Sequence, residues 1–370
     1  MEIICLQENL KRGINIIQNI IGKNLTLPIL NNILLSAEKK QLKLISTDLE
    51  IAITHWTSGK VKKEGEITIP AKLFNDLINN FPNKKIEIKT YKNNLLQIKC
   101  ENFKSNIKGL DFKEFPIIPK IKSKSVVKID SYKLKQALNQ VVNFTSLSDI
   151  RPEISGILIS FNSGNIKLTA TDSFRLAEKT ISLKNNKNFP KKTIIIPLKT
   201  AQELIRILSD QNKEEVVEIF IEQNQILFQI PDTQIISRLI EGTYPNYEQL
   251  ISKQFETNLI LNRKKFIDVV KVSSLFSSRI NDIKLRVIPK KSLIEISAQN
   301  VEIGENISEM KAEIKGKEIE IIFNYKYLLD GLNNLFSDKV ILGLNGEVNP
   351  GILKPAGDPS CIYVIMPIKL

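Results

Sequence analysis

The side chains best suited to covalent or acid–base chemistry are few in this chain and far apart. His55, the single histidine, stands beside Trp56 in an alternating apolar and polar run. A nucleophilic triad or a zinc hydrolase built on it needs partners at recognisable spacing, and none is present, so His55 reads as a structural or surface histidine. Cys5, Cys100 and Cys361 have no paired spacing. Such an odd, scattered set reads as buried thiols in a reducing cytosol, not as disulfides or zinc ligands. Asp48 and Asp172 each follow a threonine and would be paired carboxylates only if the fold joined them. Each sits in its own copy of a repeated stretch, where stabilising a turn is the simpler role. The acids of Val301-Glu302-Ile303-Gly304-Glu305 lack ligand spacing, and neither a GxxxxGK[ST] phosphate loop nor a Gly-rich dinucleotide fingerprint occurs. No catalytic residue, metal or cofactor is expected.

The charge carries more. The chain has a formal net charge of +13 over 370 residues, which favours a polyanionic partner such as nucleic acid. Lys, Ile and Asn are all abundant, as an AT-rich coding bias produces, so the location of the charge matters more than its sum. Six amphipathic helices are predicted, at 9–21, 71–81, 132–144, 199–208, 263–276 and 326–336. Their basic residues are Lys11, Arg12, Lys72, Lys133, Lys135, Lys199, Arg206, Arg263, Lys264, Lys265, Lys271 and Lys326, against the acids Asp76, Glu203, Asp268 and Asp330. The remaining polar positions are mostly short amides, and the aromatics fall mostly on the apolar stripes, which leaves no stacking platform for unpaired bases. Lysine with Asn and Gln suits loose, sequence-independent contact with phosphates. The competing reading is an ordinary solvated face in a lysine-rich protein.

The elements that must position these helices come in a repeat. The stretch 167–177 (KLTATDSFRLA) echoes 43–53 (KLISTDLEIAI), and the two Thr-Asp pairs lie 124 residues apart. A third copy is expected near residue 298, where 293–303 keeps the alternation without the Thr-Asp. Self-similarity at such a period, in a chain about three times as long, predicts three tandem units of roughly 120 residues. Strands are expected at 33–36, 42–47, 50–57, 67–70, 85–89, 95–100 and 103–108 in the first unit. The second has them at 156–161, 165–171 and 176–182, and Ile194-Ile195-Ile196-Pro197 repeats the strand-to-helix step of Ile67-Thr68-Ile69-Pro70. The third repeats that step at 319–324 and ends on a strand over 361–367. Each unit holds two helices on antiparallel sheet, an α+β domain. The domains are expected at 1–122, 126–251 and 254–370, with 121–125 as a linker. No apolar run approaches the roughly 18 residues that span a bilayer, and the N-terminus lacks a signal-peptide core, so a cytoplasmic location away from membranes is expected.

Five ordered signatures carry a resemblance over the whole chain: Thr26-Leu27-Pro28-Ile29-Leu30, Thr47-Asp48-Leu49-Glu50, Ala170-Thr171-Asp172-Ser173-Phe174-Arg175-Leu176, the run from Phe323 to Asp330, and Met366-Pro367-Ile368-Lys369-Leu370. In these the chain resembles the bacterial sliding clamps, the beta subunits of the replicative DNA polymerase holoenzyme. The resemblance implies a homodimer joined head to tail, first domain to third, into a ring of six domains that slides on duplex DNA without sequence preference. It places Lys11, Arg12, Lys72, Lys133, Lys135, Lys199, Arg206, Lys264 and Lys265 toward the DNA. It also implies a cleft between the second and third domains, where replicative DNA polymerase, clamp loader and repair factors insert a short apolar peptide. Carried over residue by residue, that cleft comprises Ile154, Thr171, Arg175, Leu176, Pro245, Leu250, Ile280, Asn324, Tyr327, Val348, Ile365, Met366, Pro367 and Ile368.

Read from the residues alone, the apolar run Val364-Ile365-Met366-Pro367-Ile368 is either edge packing or the wall of a groove. The chain departs from the family pattern at Ser173 (usually Gly), Phe174 (often His), Gln249 and Lys369 (each usually Arg), Asn24 (commonly Arg), and Pro152-Glu153 in place of an aromatic pair. A second function class remains open on the sequence alone: a repeat-built scaffold that binds nucleic acid or acidic proteins without encircling DNA.

Overall fold

A computed structural model describes residues 1–22, 26–39, 41–123, 127–148, 150–183, 191–209 and 215–369. Asn24, the last two linker positions 124 and 125, and Leu370 lie outside the described residues.

Each of the three repeats is built the same way. A strand runs straight into a helix at Glu2–Leu6 and α1 (Gln7–Ile17), at Val127–Asp130 and α3 (Ser131–Val141), and at Thr257–Asn262 and α5 (Arg263–Ser274). The second strand-to-helix step joins Gly65–Pro70 to α2 (Ala71–Asn80), Lys192–Pro197 to α4 (Leu198–Ser209), and Ile319–Asn324 to α6 (Tyr325–Asn334). The residue before each of these second helices is paired at the same place in the sheet: Pro70 with Asn32, Pro197 with Gly156, Asn324 with Asp282. Proline at the first two suits the start of a helix, where a backbone N–H would have no partner, and Asn324 instead caps α6 by accepting from the Lys326 N–H at 2.9 Å.

The helix positions match the sequence reading to within a few residues. The first helix starts at Gln7 and ends at Ile17, followed by a short 3-10 turn at Gln18–Ile20, not at 9 and 21. The difference arises because Glu2–Leu6 is a strand that the sequence reading left out. Its Ile3 and Cys5 are buried while it pairs with both Lys60–Lys63 and Lys85–Tyr91. The third helix likewise gives way to a 3-10 turn at Val142–Phe144.

Among the described residues the strands form four antiparallel sheets, and the chain divides into two compact units. The first unit is Met1–Lys135 with Lys199–Leu239, and the second is Gln136–Leu198 with Ile240–Leu370. The division runs through the middle repeat because its two half-sheets are each continued by a different neighbour. In the first unit Thr233–Arg238 pairs with Ile51–Ser58, making one eight-stranded sheet. In the second, Arg175–Ser182 pairs with Cys361–Ile365, making one of nine strands. The remaining sheets, of five and four strands, end on Phe103–Lys108 and on Gly304–Lys311. No helix of the described residues is long and apolar enough to cross a membrane.

The three cysteines are free and buried, and burial pushes the Cys5 thiol up to about 12 and the Cys361 thiol up to about 11. Such thiols stay protonated and weakly reactive. His55 is buried in the first unit, with its Nδ1 2.9 Å from the Thr233 hydroxyl. Burial is the main cause that lowers its pKa to about 4, partly opposed by Asp232 and reinforced by Arg12. The fold therefore accepts the neutral imidazole. Its contribution to stability is complete above the unfolded value near 6.5, and it is lost as pH falls from there toward 4. Urea unfolding of the first unit should lose up to about 3 kcal/mol over that window, and His55→Gln should flatten this dependence. An unchanged pH profile in His55→Gln would show that the imidazole is not the titrating group.

Candidate functional site

The repeated Thr-Asp forms the same hydrogen-bonded turn in both units. In the first, the Thr47 hydroxyl donates to the Ile51 carbonyl at 2.9 Å and accepts from the Leu49 N–H at 3.0 Å. One carboxylate oxygen of Asp48 accepts from the N–H groups of Glu50 and Ile51 at 3.0 and 2.8 Å. In the second, Thr171 donates to the Arg175 carbonyl at 2.7 Å and accepts from Ser173 at 3.2 Å. Asp172 accepts from the N–H groups of Phe174 and Arg175, both at 3.0 Å. The residue between is left-handed in each, with φ of 78° at Leu49 and 79° at Ser173. That backbone region favours glycine. The third copy is at Asn300, whose side chain accepts from the Glu302 N–H at 2.9 Å ahead of Gly304. An asparagine thus replaces the lost Thr-Asp, an Asx turn that the sequence displays at a slightly longer spacing.

The first two turns each lead into a strand that carries a join between half-sheets. In the second unit Arg175 and Leu176 pair with Ile365 and Val364, and the Met366 N–H then reaches the Phe174 carbonyl at 2.9 Å. Ile368 donates to the Ile322 carbonyl at 2.8 Å, so the terminal segment is fastened at two points. The Arg175 guanidinium lies 4.6 Å from the Tyr327 ring centroid and 5.1 Å from that of Phe144. It pairs with Asp172 at 2.9 Å and also with Asp330. Phe174 stacks on Tyr327, with ring centroids 6.2 Å apart. Around this cation the site is therefore aromatic and rigid, because planar contacts and two carboxylates fix the guanidinium together.

The cleft residues carried over from the resemblance fall into three groups, all in the second unit. Ile154, Thr171, Leu176 and Ile365 are buried. Leu176 belongs to a core with Leu158, Ile195, Tyr247, Ile352 and Val364, so it supports the site from beneath. Arg175, Pro245, Asn324, Tyr327, Met366, Pro367 and Ile368 are half-buried. Leu250, Ile280 and Val348 are exposed, at 42%, 49% and 58%. Direct contacts bring Thr171, Arg175, Leu176, Tyr327, Ile365 and Met366 together around Phe174. Sequence reasoning missed Phe144, Asp330 and Tyr363 as members of this cluster. Tyr363 is packed on Phe144 at 5.1 Å and donates to the Tyr327 carbonyl at 2.7 Å. Asp330 was visible at the end of the Phe323-to-Asp330 signature, but its partner, 155 residues away, was not.

The basic helix residues differ in how free they are. Lys11, Lys72, Lys133, Lys264 and Lys265 are exposed, and Lys135 is half-buried with its ammonium 5.9 Å from the Tyr132 ring. Arg12 is exposed. Lys199 is exposed but ion-paired to Asp48. Arg206 is turned inward: it donates to the carbonyls of Asn15 and Ile16 at 2.9 and 2.5 Å and pairs with Glu203 at 2.8 Å. A guanidinium on the last carbonyls of α1 satisfies groups the helix leaves unpaired, and that role is structural.

Comparison with known proteins bears on the whole chain. Three family models match in tandem: DNA polymerase III beta subunit, N-terminal domain, over residues 1–119; its central domain over 128–246; and its C-terminal domain over 248–369. The chain is 28% identical to the beta sliding clamp of Synechocystis sp., covering 100% of both chains. It is 30% identical to that of Staphylococcus aureus, covering 94% of each. Among solved structures, the DNA polymerase sliding clamp from Bacillus subtilis superposes with a TM-score of 0.94 at 27% identity, over 100% of this chain and 99% of that one. The DNA polymerase III subunit beta from Pseudomonas aeruginosa gives 0.94 at 26% identity, over 100% of both.

The left-handed turn gives a direct test. Ser173→Gly removes the cost of holding a side chain at φ 79°, against the extra chain entropy that glycine must lose. The expected net gain is a few tenths to about 1 kcal/mol. It should appear as a higher urea midpoint at unchanged slope; a lower midpoint would mean that the Ser173 side chain contributes more than the backbone strain costs.

Proposed function

We infer the mode of action from one premise: the chain belongs to the family of DNA polymerase III beta subunits, the sliding clamps. It is a DNA polymerase processivity factor and not an enzyme. Two copies close head to tail into a ring of six domains around duplex DNA, with domains at 1–122, 126–251 and 254–370, acting in the cytoplasm.

The observation that carries the ring is the pattern of sheet joins. At each join the last strand of one half-sheet, Thr233–Arg238 or Cys361–Ile365, pairs with the strand after a repeated turn, Ile51–Ser58 or Arg175–Ser182. The two strands left over are the members of the same equivalence: Phe103–Lys108 is the last strand of its half-sheet, and Gly304–Lys311 follows the third turn. Pairing one copy's Phe103–Lys108 with the other's Gly304–Lys311 repeats the join a third time and leaves neither edge exposed. The chemistry is complementary. Lys104 and Lys108 lie on the first edge strand and Glu305 and Glu309 on the second, with Phe103 and Ile307 exposed at 52% and 60%. Opposite charge steers such an encounter and apolar contact holds it.

The exposed lysines of the helices, Lys11, Lys72, Lys133, Lys264 and Lys265, line the passage and contact phosphates. Lys135, Lys199 and Arg12 assist, while Arg206 holds α1 in place. The site around Arg175, Tyr327 and Met366 takes short apolar peptides from the polymerase, the clamp loader and repair factors. Its exposed Leu250, Ile280 and Val348, beside half-buried Met366 and Pro367, supply adaptable apolar contact.

Topological attachment makes a sharp prediction. The loaded protein should stay on nicked circular DNA at moderate salt and slide off linear DNA; equal loss from both would contradict encirclement. On DNA, Lys72→Ala with Lys264→Ala should reduce the slope of log affinity against log salt by about 2. Removing residues 366–370 should abolish peptide binding while leaving the dimer intact, as read by sedimentation and fluorescence anisotropy. Undiminished peptide affinity in that truncation would overturn the assignment of the cleft.

A further inference from the structure

The equivalence of the turns extends to what stands beside them. In the first unit a groove of about 360 Å³ opens against the Thr47 turn. One wall is the turn and the strand after it, another is the end of Thr233–Arg238, and the third is the segment from Pro116 to Pro119. Its backbone repeats the second unit's cleft bond for bond. Ile236 pairs with Ala52 as Val364 pairs with Leu176, and the Arg238 N–H reaches the Glu50 carbonyl at 2.9 Å, as Met366 reaches Phe174 at 2.9 Å. The segment between Pro116 and Pro119 takes part in no strand pairing among the described residues.

The side chains differ, and they differ in a direction. Phe174 is replaced by Glu50, Arg175 by Ile51, and Met366 by Arg238. The positive group has moved from the cation cage, where it is boxed in by two rings and two carboxylates, to the rim. There the Arg238 side chain is 63% exposed, and a single contact, Nη1 to Glu50 at 3.2 Å, holds it. Beside it, Leu49 and Ile117 are exposed at 47% and 94%. A guanidinium fork with its other N–H groups turned to solvent next to apolar surface matches a carboxylate adjacent to an apolar side chain.

We propose that this groove is a second docking site, taking an extended segment of a partner protein that presents an apolar side chain next to a carboxylate. The groove itself stands on its own geometry; the choice of a peptide as ligand rests on the peptide reading of the Arg175 cleft. The two sites would let one copy hold two partners of different motif at once, the acidic one at the Arg238 groove.

The isoleucines make the test site-specific. The full chain, labelled at isoleucine δ1 methyls, is titrated with a pool of N-acetylated pentapeptide amides that place Leu, Ile or Phe next to Asp. Methyl signals of Ile117, Ile118 and Ile236 should shift and saturate at millimolar peptide, and a pool with Lys in place of Asp should leave them unmoved. Ile117→Ser, at a position too exposed to disturb folding, and Arg238→Gln should each weaken these shifts about tenfold, while the signals of Ile280 and Ile368 respond as before. Shifts at Ile280 and Ile368 alone would overturn the second site and leave the cleft standing. Silence at every one of these methyls would overturn both.

Discussion

The pairing of strand edges between neighbouring half-sheets organises the molecule. Every half-sheet of the three repeats ends in a row of backbone N–H and C=O groups that need partners. Two of the edges are met within the chain, by Thr233–Arg238 on Ile51–Ser58 and by Arg175–Ser182 on Cys361–Ile365. The middle repeat is thereby committed to both neighbours, one half-sheet to each. Apolar burial could be satisfied by many arrangements of such units, but hydrogen-bond register accepts very few. The third pair of edges has no partner inside the chain, which is why a closed assembly follows from the topology more directly than from composition.

The same joins explain where the grooves arise. A strand that pairs across a join must first turn, and the turn is built from Thr, Asp and one left-handed residue. Its carboxylate and hydroxyl occupy the local N–H groups, so the backbone is fixed before any ligand arrives. Fixed backbone beside a half-sheet boundary leaves a groove, and side chains on a fixed frame can diverge freely. Thr171 and Asp172 keep the frame while Phe174 and Arg175 furnish one chemistry; Thr47 and Asp48 keep it while Glu50 and Arg238 furnish another. Duplication conserved the scaffold bonds and released the residues that face outward.

Much of this was legible in the sequence, and the illegible part has a common cause. The two Thr-Asp stretches, the strand-to-helix steps at Pro70, Pro197 and Asn324, and all six helices are local patterns that period and residue type reveal. The strand Glu2–Leu6 was overlooked because five residues with two buried side chains carry little periodic signal. The third turn is anchored at Asn300, not at a Thr-Asp pair near residue 298, since an amide can do the same work as the carboxylate. What sequence could not give is partnership over long separations: Arg175 with Asp330, or Arg206 with the end of α1. A basic residue on a predicted polar face looks the same whether it meets solvent or a neighbouring carbonyl.

That ambiguity matters for the charge, because a net +13 can be compositional. Several acids on or beside the strands are matched to cations close by, Glu2 with Lys62 and Lys89, Glu218 with Lys128, Glu320 with Lys284, Glu318 with Arg286. These pairs are largely exposed and each contributes little to stability, of order 0–1 kcal/mol at most. Their effect on the field is larger than their effect on the fold, since they cancel charge over the sheets. Among the described residues Lys11, Lys72, Lys133, Lys264 and Lys265 have no such ion pair, but neither do Lys43, Lys85, Lys104 and Lys311 on the strands. Freedom from ion pairing therefore does not single out the helices. What does is the shortage of acids on them: α1 to α6 carry Glu8, Asp76, Glu203, Asp268 and Asp330 against twelve Lys and Arg.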